Sequence, residues 1–454
     1  MTDTEGWDGR SETTGTVAVI GMGKIGQSLA ARYADAGWTV VGVDVAPVIV
    51  ETLAMGHVPF DDEPGVAERI AAAHAEARFD ATADHTSAAS RSDVVIMIVP
   101  LMLTDDDRPD YRAIDAASEA VGRGLRPGTL VIYETTLPIG DTRRRFGPLL
   151  ERASGLAVGD SKSGFLLAYS PERVSSGRVL SDLASYPKLV GGVDRASTER
   201  ATAFYTSVLD AEVWSLSTAE AAEFAKLAET TYRNVNIGLA NEFARVAEQA
   251  GVDILEVVRA ANSQPYSHIH QPGLGVGGHC IPVYPHFLIH GRGDAERLEV
   301  VEAALRANEE QVGRAVTSIE SVVGDLADRP VLVLGLTYRW GVREVANSRA
   351  LALIHELRTR GALVQAYDPL LSGAEVKRLG ASAYRWGAQS DAIAIITQTA
   401  DPLWSGMDLG RFPKLELLFD GRNSLRDLAI PPNLTYIGVG LRGRADGETP
   451  DRGD

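Results

Sequence analysis

The stretch that most constrains the fold is residues 16–44. A short β-branched apolar run, Thr16–Ile20, leads at once into Gly21-Met22-Gly23-Lys24-Ile25-Gly26, and a helical pattern through Leu29, Ala30, Tyr33 and Ala34 follows. Gly37 closes that helix, and residues 38–43 form a second strand that ends on Asp44. The unit takes about the thirty residues that a strand–helix–strand crossover needs. Strands joined in this way run parallel, and a parallel sheet has to cover both faces with helices. The glycines permit a tight turn, close approach of the backbone to a pyrophosphate and close packing of helix on strand, with the phosphate at the helix N-terminus. Gly21, Gly23, Lys24, Ile25 and Gly26 therefore mark a dinucleotide site, and Asp44 can accept both ribose hydroxyls. A carboxylate there repels a 2′-phosphate, so NAD is expected over NADP. Arg32 faces elsewhere on the helix.

Further strands are expected at residues 93–99 and 129–133. The longest apolar run, from Val94 to Val99 and past Pro100 to Leu103, falls short of the roughly 18 residues that span a bilayer and reads as a buried parallel strand. Between Ser217 and Gly251 lies one amphipathic pattern, with Phe224, Leu227, Ala228, Val235, Leu239, Phe243, Val246 and Ala250 on its apolar face. Ser217 and Glu220 read as a capping box at its start, and Gly251 as its end. Such a helix would be roughly 50 Å long and would serve as a spine or a dimer interface. A second helical stretch covers residues 296–323. The opening theme then returns: a strand at 331–334, a helix at 348–360, Gly361, and a strand at 363–367 that ends on Asp368. Its turn, Gly335-Leu336-Thr337-Tyr338, lacks the full glycine fingerprint and need not bind a dinucleotide. The fold class is α/β, with two doubly wound, Rossmann-like parallel-sheet domains joined by a central helical region with one long helix.

The net charge of -17 argues against nucleic acid, because a duplex-binding surface has to supply cations. Six lysines against 38 arginines fit either a GC-rich genome or a saline cytoplasm. Residues 1–15 are polar and acidic, without the basic-then-apolar order of a secretory signal. A single cysteine excludes an internal disulfide and suits a reducing compartment, so a cytoplasmic protein that binds no membrane is expected. None of the nine histidines joins a cluster with metal-ligand spacing, and no metal is expected.

That cysteine follows the densest glycine loop of the chain, Gly273-Leu274-Gly275-Val276-Gly277-Gly278-His279-Cys280. Glycine at this density fits a backbone that passes close to a ligand. From the residues alone Cys280 is open to two readings, a nucleophile or a buried structural thiol. As a nucleophile its thiolate could be held by His279 and by a lysine from elsewhere. Lys226 sits in an apolar stretch of the long helix with Thr230 one turn on, and in isolation it reads as a lysine that snorkels to solvent. Ser170-Pro171-Glu172-Arg173 and the pair Thr135-Thr136 follow strand ends, where open α/β sheets place ligands.

The order of these segments resembles the UDP-glucose/GDP-mannose dehydrogenase family over about residues 16–440. The motifs that carry the resemblance are the glycine fingerprint, Glu-Thr-Thr-Leu-Pro-Ile-Gly at 134–140, Ser-Pro-Glu-Arg at 170–173, Lys226 with Asn241-Glu242, Gly-Gly-His-Cys at 277–280, Gly-Leu-Thr-Tyr at 335–338, Tyr-Asp-Pro at 367–369 and Asp-Gly-Arg at 420–422. The resemblance implies an NAD domain at 16–212, a central dimer-forming region with the catalytic loop at 213–323 and a nucleotide-sugar domain at 324–442, with tails at 1–15 and 443–454. It implies two hydride transfers from the sugar C6 to NAD, with Cys280 holding the aldehyde and then a thioester. Lys226 would stabilise oxyanions, and Glu172 and Thr136 would place or activate water. Val99, Thr135 and Thr136 would line the cofactor. Glu172, Lys226, Gly275, Gly277, Tyr338, Arg339 and Arg422 would bind the UDP-sugar.

The chain departs from the family pattern at several positions. Tyr284 stands four residues after the cysteine in place of an aspartate, and Thr230 four residues after Lys226 in place of an asparagine. Both belong to the implied catalytic set. Arg339 replaces a lysine and keeps its charge, whereas an arginine falls at Ala346, for which Arg343 or Arg349 could substitute. The wording Gly-Gly-His-Cys-Ile-Pro favours a UDP-N-acetylhexosamine substrate, with UDP-glucose as the alternative. A homodimer is expected. A non-catalytic nucleotide-sugar binder would also fit the altered 230 and 284, and a two-electron hydroxyacid dehydrogenase would share the first domain and the long helix.

Overall fold

The structure, a computed structural model, describes residues 15–60, 63–291 and 297–441. The tails expected at 1–15 and 443–454 lie outside the described residues, Gly15 excepted. The chain forms two compact units, Met1–Glu229 with His286–Ala295 and Thr230–Pro285 with Glu296–Asp454.

The first unit is built on an eight-stranded sheet in the order Val213–Ser215, Lys188–Gly192, Leu166–Tyr169, Leu130–Tyr133, Val94–Met97, Thr16–Ile20, Thr39–Val43 and Phe79–Thr82. From Leu166–Tyr169 to Phe79–Thr82 every pair is parallel. Lys188–Gly192 joins antiparallel, with Ala168 opposite Gly192, so the sheet is mixed where an all-parallel one was expected. The helix Lys24–Asp35 buries Leu29, Ala30, Ala31, Tyr33 and Ala34, and Trp38 and Phe204 meet edge to face at 5.0 Å beneath it. The apolar run from Val94 does not continue as one strand: the ladder stops at Met97, and beyond Pro100, which has no N–H to donate, Met102–Leu103 pairs antiparallel with Pro109–Asp110.

The second unit contains a six-stranded parallel sheet, in the order Ser382–Ala383, Leu363–Tyr367, Pro330–Leu334, Ala394–Thr397, Leu417–Asp420 and Thr435–Gly438. The helix Glu299–Val323 buries Val312, Ala315, Val316, Ile319 and Val323, one face at helical spacing, in the core shared with Val331, Val333, Leu353 and Phe419.

The long helix Ala219–Ala250, at 32 residues, belongs to both units. Its hydroxyl cap is Thr218, which accepts from the Ala221 N–H at 3.1 Å; Glu220, expected in a capping box with Ser217, pairs with Arg143 at 2.6 Å instead. The face expected to be buried is largely the exposed one. Phe224, Leu239, Phe243 and Val246 are exposed, as is Tyr232, whereas Glu223, Lys226, Thr230, Thr231, Asn234 and Asn241 are buried beside Leu227, Ala240 and Ala244. Apolar periodicity located the exposed stripe, not the face that packs on the chain.

The fingerprint turn separates two reasons for glycine. Gly21 has φ of +103°, and a Cβ on Gly26 would lie 1.9 Å from the Gly21 carbonyl oxygen, so both are required by the fold. A Cβ on Gly23 would have no protein atom within 4 Å. Gly26→Ala is accordingly expected to cost about 1–3 kcal/mol in thermal denaturation, as overpacking does. Gly23→Ala should melt with the wild type and lose NADH affinity in a fluorescence titration. Equal melting of all three proteins would contradict this division.

Candidate active site

In the first unit the cofactor candidates line the sheet's carboxyl edge at the point where strand order reverses, between Thr16–Ile20 and Val94–Met97. The helix that follows the turn begins at Lys24 without a side-chain cap, next to the open space at Gly23. Asp44 is half-buried and braces this turn: its carboxylate accepts the Met22 N–H and the Ala46 N–H, each at 2.9 Å. Thr135 and Thr136 are buried, and the Thr135 hydroxyl donates to the Val99 carbonyl at 2.7 Å, fixing the two strand ends to each other. Arg32 is committed elsewhere, to the Val208 carbonyl and Asp210. An uncapped helix start, a gap at the second glycine and a carboxylate at the end of the next strand fit a dinucleotide with free ribose hydroxyls.

Glu172 and Lys226 belong to the same unit. Lys226 is 7% exposed and pairs with Glu229 at 3.4 Å, and Glu229 also binds Arg173 at 2.9 Å, so the snorkelling expected of an isolated lysine does not occur. Glu172 receives the Arg173 N–H at 2.7 Å and the ammonium of Lys188 at 3.1 Å. The sequence reading missed Lys188 altogether. It also missed Glu223, whose carboxylate accepts the N–H groups of Gly140 and Thr142 and the Thr142 hydroxyl, tying the 134–140 segment to the long helix. Burial pushes the Glu223 carboxyl up to about 7, against the pull of those donors.

In the second unit the loop that carries Cys280 hangs from three buried asparagines. Asn241 accepts the Gly273 N–H at 2.9 Å and donates to Asn308 at 3.2 Å; Asn308 donates to the Asn234 carbonyl at 3.1 Å; Asn234 donates to the Ile281 carbonyl at 3.1 Å. Both ends of the loop are thus held by the long helix. The glycines within it answer to protein neighbours. A Cβ at 275 would lie 2.6 Å from the Asn308 carbonyl oxygen, one at 277 would lie 2.9 Å from that of Asn347, and one at 278 would meet the Tyr338 ring at 3.1 Å. The close approach expected of a ligand is made here by the chain itself.

Cys280 is half-buried, and its Sγ lies 3.5 Å from Tyr284 Oη, one helical turn on. His279 is paired through Nε2 with Glu344. Thr230 is 5% exposed on the helix above the asparagines. Arg339 is exposed beside Tyr338, its guanidinium 6.0 Å from that ring. Arg422 lies along Gly273 and is organised by Asp420, a fully buried carboxylate that also takes Thr397, Leu425 and Tyr436. Crowding by protein and the charge of Arg233 hold the Arg422 guanidinium below its ordinary value, although Asp420 opposes them. Arg343 and Arg349, considered as stand-ins for a cation at 346, are committed to Glu375 and Glu309. Among the described residues no group of acidic, histidine or cysteine side chains could hold a metal ion.

Asn234→Ala leaves the Ile281 carbonyl short of a partner, which is expected to cost about 1–3 kcal/mol. Amide exchange at residues 278–281 should accelerate while NADH affinity is kept; unchanged exchange would remove the loop-holding role. Asp44→Asn should narrow the ratio of kcat/KM for NAD⁺ over NADP⁺, and an unaltered ratio would place the discrimination elsewhere.

Comparison with known proteins bears on all three regions. The NAD binding domain of the UDP-glucose/GDP-mannose dehydrogenase family matches residues 15–209, the family's central domain 220–310 and its UDP binding domain 332–427. The UDP-N-acetyl-D-mannosamine dehydrogenase of Pyrococcus horikoshii is 32% identical over 431 residues, 93% of this chain and 99% of that protein. An NDP-N-acetyl-D-galactosaminuronic acid dehydrogenase of Ralstonia solanacearum is 29% identical over 75% of this chain and 80% of its own. The solved structure of a UDP-glucose dehydrogenase from Pyrobaculum islandicum superposes with a TM-score of 0.84 at 28% identity, covering 96% of this chain and all of that one. Among the described residues no helix is long and apolar enough to cross a membrane. The chain belongs to the UDP-glucose/GDP-mannose dehydrogenase family of NAD-dependent nucleotide-sugar dehydrogenases.

Proposed function

We propose that this enzyme oxidises the C6 hydroxyl of a UDP-N-acetylhexosamine to the uronic acid, with Cys280 as covalent nucleophile, to supply a precursor for polysaccharide or glycan synthesis in the cytoplasm. The observation that carries the reading is the loop of the chain's single cysteine. A flexible loop would waste a nucleophile, whereas this one is pinned at both ends by buried asparagines, with a phenol 3.5 Å from the sulfur.

NAD⁺, held by the turn at Gly21, Gly23 and Gly26 and by Asp44, would supply the hydride acceptor for both oxidations, one molecule for each. The Cys280 thiol adds to the aldehyde carbon, its proton passing to the oxygen, and the thiohemiacetal keeps the aldehyde on the enzyme. Loss of hydride and of the hydroxyl proton leaves a thioester, which water cleaves to carboxylate and free thiol. One alcohol, two NAD⁺ and one water thus give one carboxylate, two NADH and three protons. Lys226, cationic and buried, stabilises the oxyanions, while Glu172 and Thr136 place the attacking water. Thr230 and Tyr284 supply hydroxyls where the family has an amide and a carboxylate; a phenol can orient water or relay a proton but is no carboxylate base near neutral pH. Arg339 and Arg422 bind the substrate's phosphates or sugar through arginine forks, with Gly275, Gly277 and Tyr338 shaping the loop beside them. The exposed apolar stripe of the long helix supports a homodimer.

UDP-N-acetylmannosamine is favoured among the N-acetylhexosamines by the relatives' names and by the wording around Cys280. The likeness to a UDP-glucose dehydrogenase keeps UDP-glucose as the second substrate. Incubation with NAD⁺ and a panel of UDP-sugars is expected to release two NADH per sugar, and Cys280→Ala should abolish uronate while sugar binding survives. One NADH per sugar would refute the four-electron scheme. No NADH from any sugar, with both ligands tightly bound, would establish a binding protein.

A further inference from the structure

The first unit buries an ionic cluster to which the reaction scheme assigns only one member. Glu134 directly follows the strand Leu130–Tyr133, and Glu172 lies three residues beyond Leu166–Tyr169. Lys188 opens the strand Lys188–Gly192, which runs antiparallel to its neighbour and so starts at the edge where the parallel strands end. Its ammonium donates to Glu134 at 2.8 Å and to Glu172 at 3.1 Å, and lies 4.9 Å over the Tyr205 ring.

The two carboxylates are not equivalent. Glu134 is 1% exposed, with one oxygen on Lys188 and the other accepting the hydroxyls of Tyr33 at 3.0 Å and Tyr205 at 2.6 Å. It is an anchor for Lys188. The Glu172 side chain is 12% exposed and is the member that meets solvent. The other charged and titratable groups around it are spoken for: Arg173 by Glu229, Glu229 also by Lys226, and Asp182 by Arg178 and the Ser175 N–H; Tyr186 lines the same recess.

We propose that Lys188, braced on Glu134, is a positioning residue that keeps the Glu172 carboxylate ionised and in one orientation, ready to take a proton from water when the thioester is cleaved. This rests on the role given to Glu172 above. Burial pushes both carboxyls up. For Glu172 the charge of Lys188, the Arg173 N–H and a hydrogen bond with Glu134 outweigh that push and hold it below the ordinary carboxylate value, whereas Glu134 remains raised. Without the ammonium, burial would be left to favour protonated Glu172. The base would then be lost as pH falls, starting from a higher pH than in the wild type.

The test is kcat against pH, across about pH 5–10, for wild type, Lys188→Met and Lys188→Arg, with NAD⁺ and UDP-N-acetylmannosamine, or UDP-glucose if the panel selects it. An opposite charge beside a carboxylate lowers its pKa by about 1–3, so the acid limb of Lys188→Met should move up by about 1–3 pH units. The rate should recover at alkaline pH with KM little altered, and Lys188→Arg should return the limb towards the wild type. A Lys188→Met limb superimposed on the wild type overturns the proposal. Should Lys188→Met not fold, infrared titration of the wild type against Glu172→Gln reads Glu172 directly: an ionised carboxylate at neutral pH is expected, and a protonated one overturns the proposal. Glu172→Gln separates the two levels. If it turns over like the wild type, the role of Glu172 falls and the proposal with it; if it stalls while the Lys188→Met limb stays put, only the role of Lys188 falls.

Discussion

A doubly wound sheet leaves one place along its carboxyl edge where neighbouring strands send their connections to opposite faces, and no crossover covers the gap between them. Both sheets of this chain have that gap, beside Thr16–Ile20 in the first unit and beside Pro330–Leu334 in the second. They treat it differently. Beside Gly21, the Asp44 carboxylate is half-exposed and the space at Gly23 is open. Beside Gly335, Asp368 is 2% exposed and takes the N–H groups of Leu336, Thr337 and Leu370 and the Thr337 hydroxyl. Threonine stands where the first turn has glycine, and its carboxylate is spent on the turn. One fold thus yields one turn open to a dinucleotide and one closed to it, in keeping with an NAD binding domain at one end of the chain and a UDP binding domain at the other.

The long helix supplies the second constraint. A buried polar side chain without a partner is costly, so a helix that buries Glu223, Lys226, Asn234 and Asn241 has to meet donors and acceptors on that face. It does so by gripping backbone: Glu223 holds residues 140–142, Asn241 holds Gly273 and Asn234 holds Ile281. Side chains that satisfy the helix also fix two of the motif-bearing loops, which is why the face with the fewest large apolar residues is the one that packs on the chain.

Elements set by local signals were legible in the sequence. The strand Thr16–Ile20 and the helix after it appear with the expected core residues, and Gly361, with φ of +81°, closes the helix Arg349–Thr359 as read. The fold class and the family followed from motif order. What was hidden depends on distance along the chain. Nothing near Lys188 announces that its partners are Glu134, 54 residues away, and Glu172. A compositional trace did exist: in a chain with six lysines and 38 arginines, two of the lysines, 188 and 226, are buried. The glycines at 275, 277 and 278 misled in the other direction, since glycine density reports close approach but not by what.

The account turns on Cys280 as the atom that carries the sugar between its two oxidation steps. Turnover with a radiolabelled UDP-sugar, quenched in acid and mapped by peptide mass, looks at that atom directly, because an acyl group on sulfur survives acid. The account predicts label on the peptide that contains Cys280, at the mass of a thioester and discharged by hydroxylamine. Uronate formed at full rate with no label on that peptide, or with label on any other residue, would contradict it.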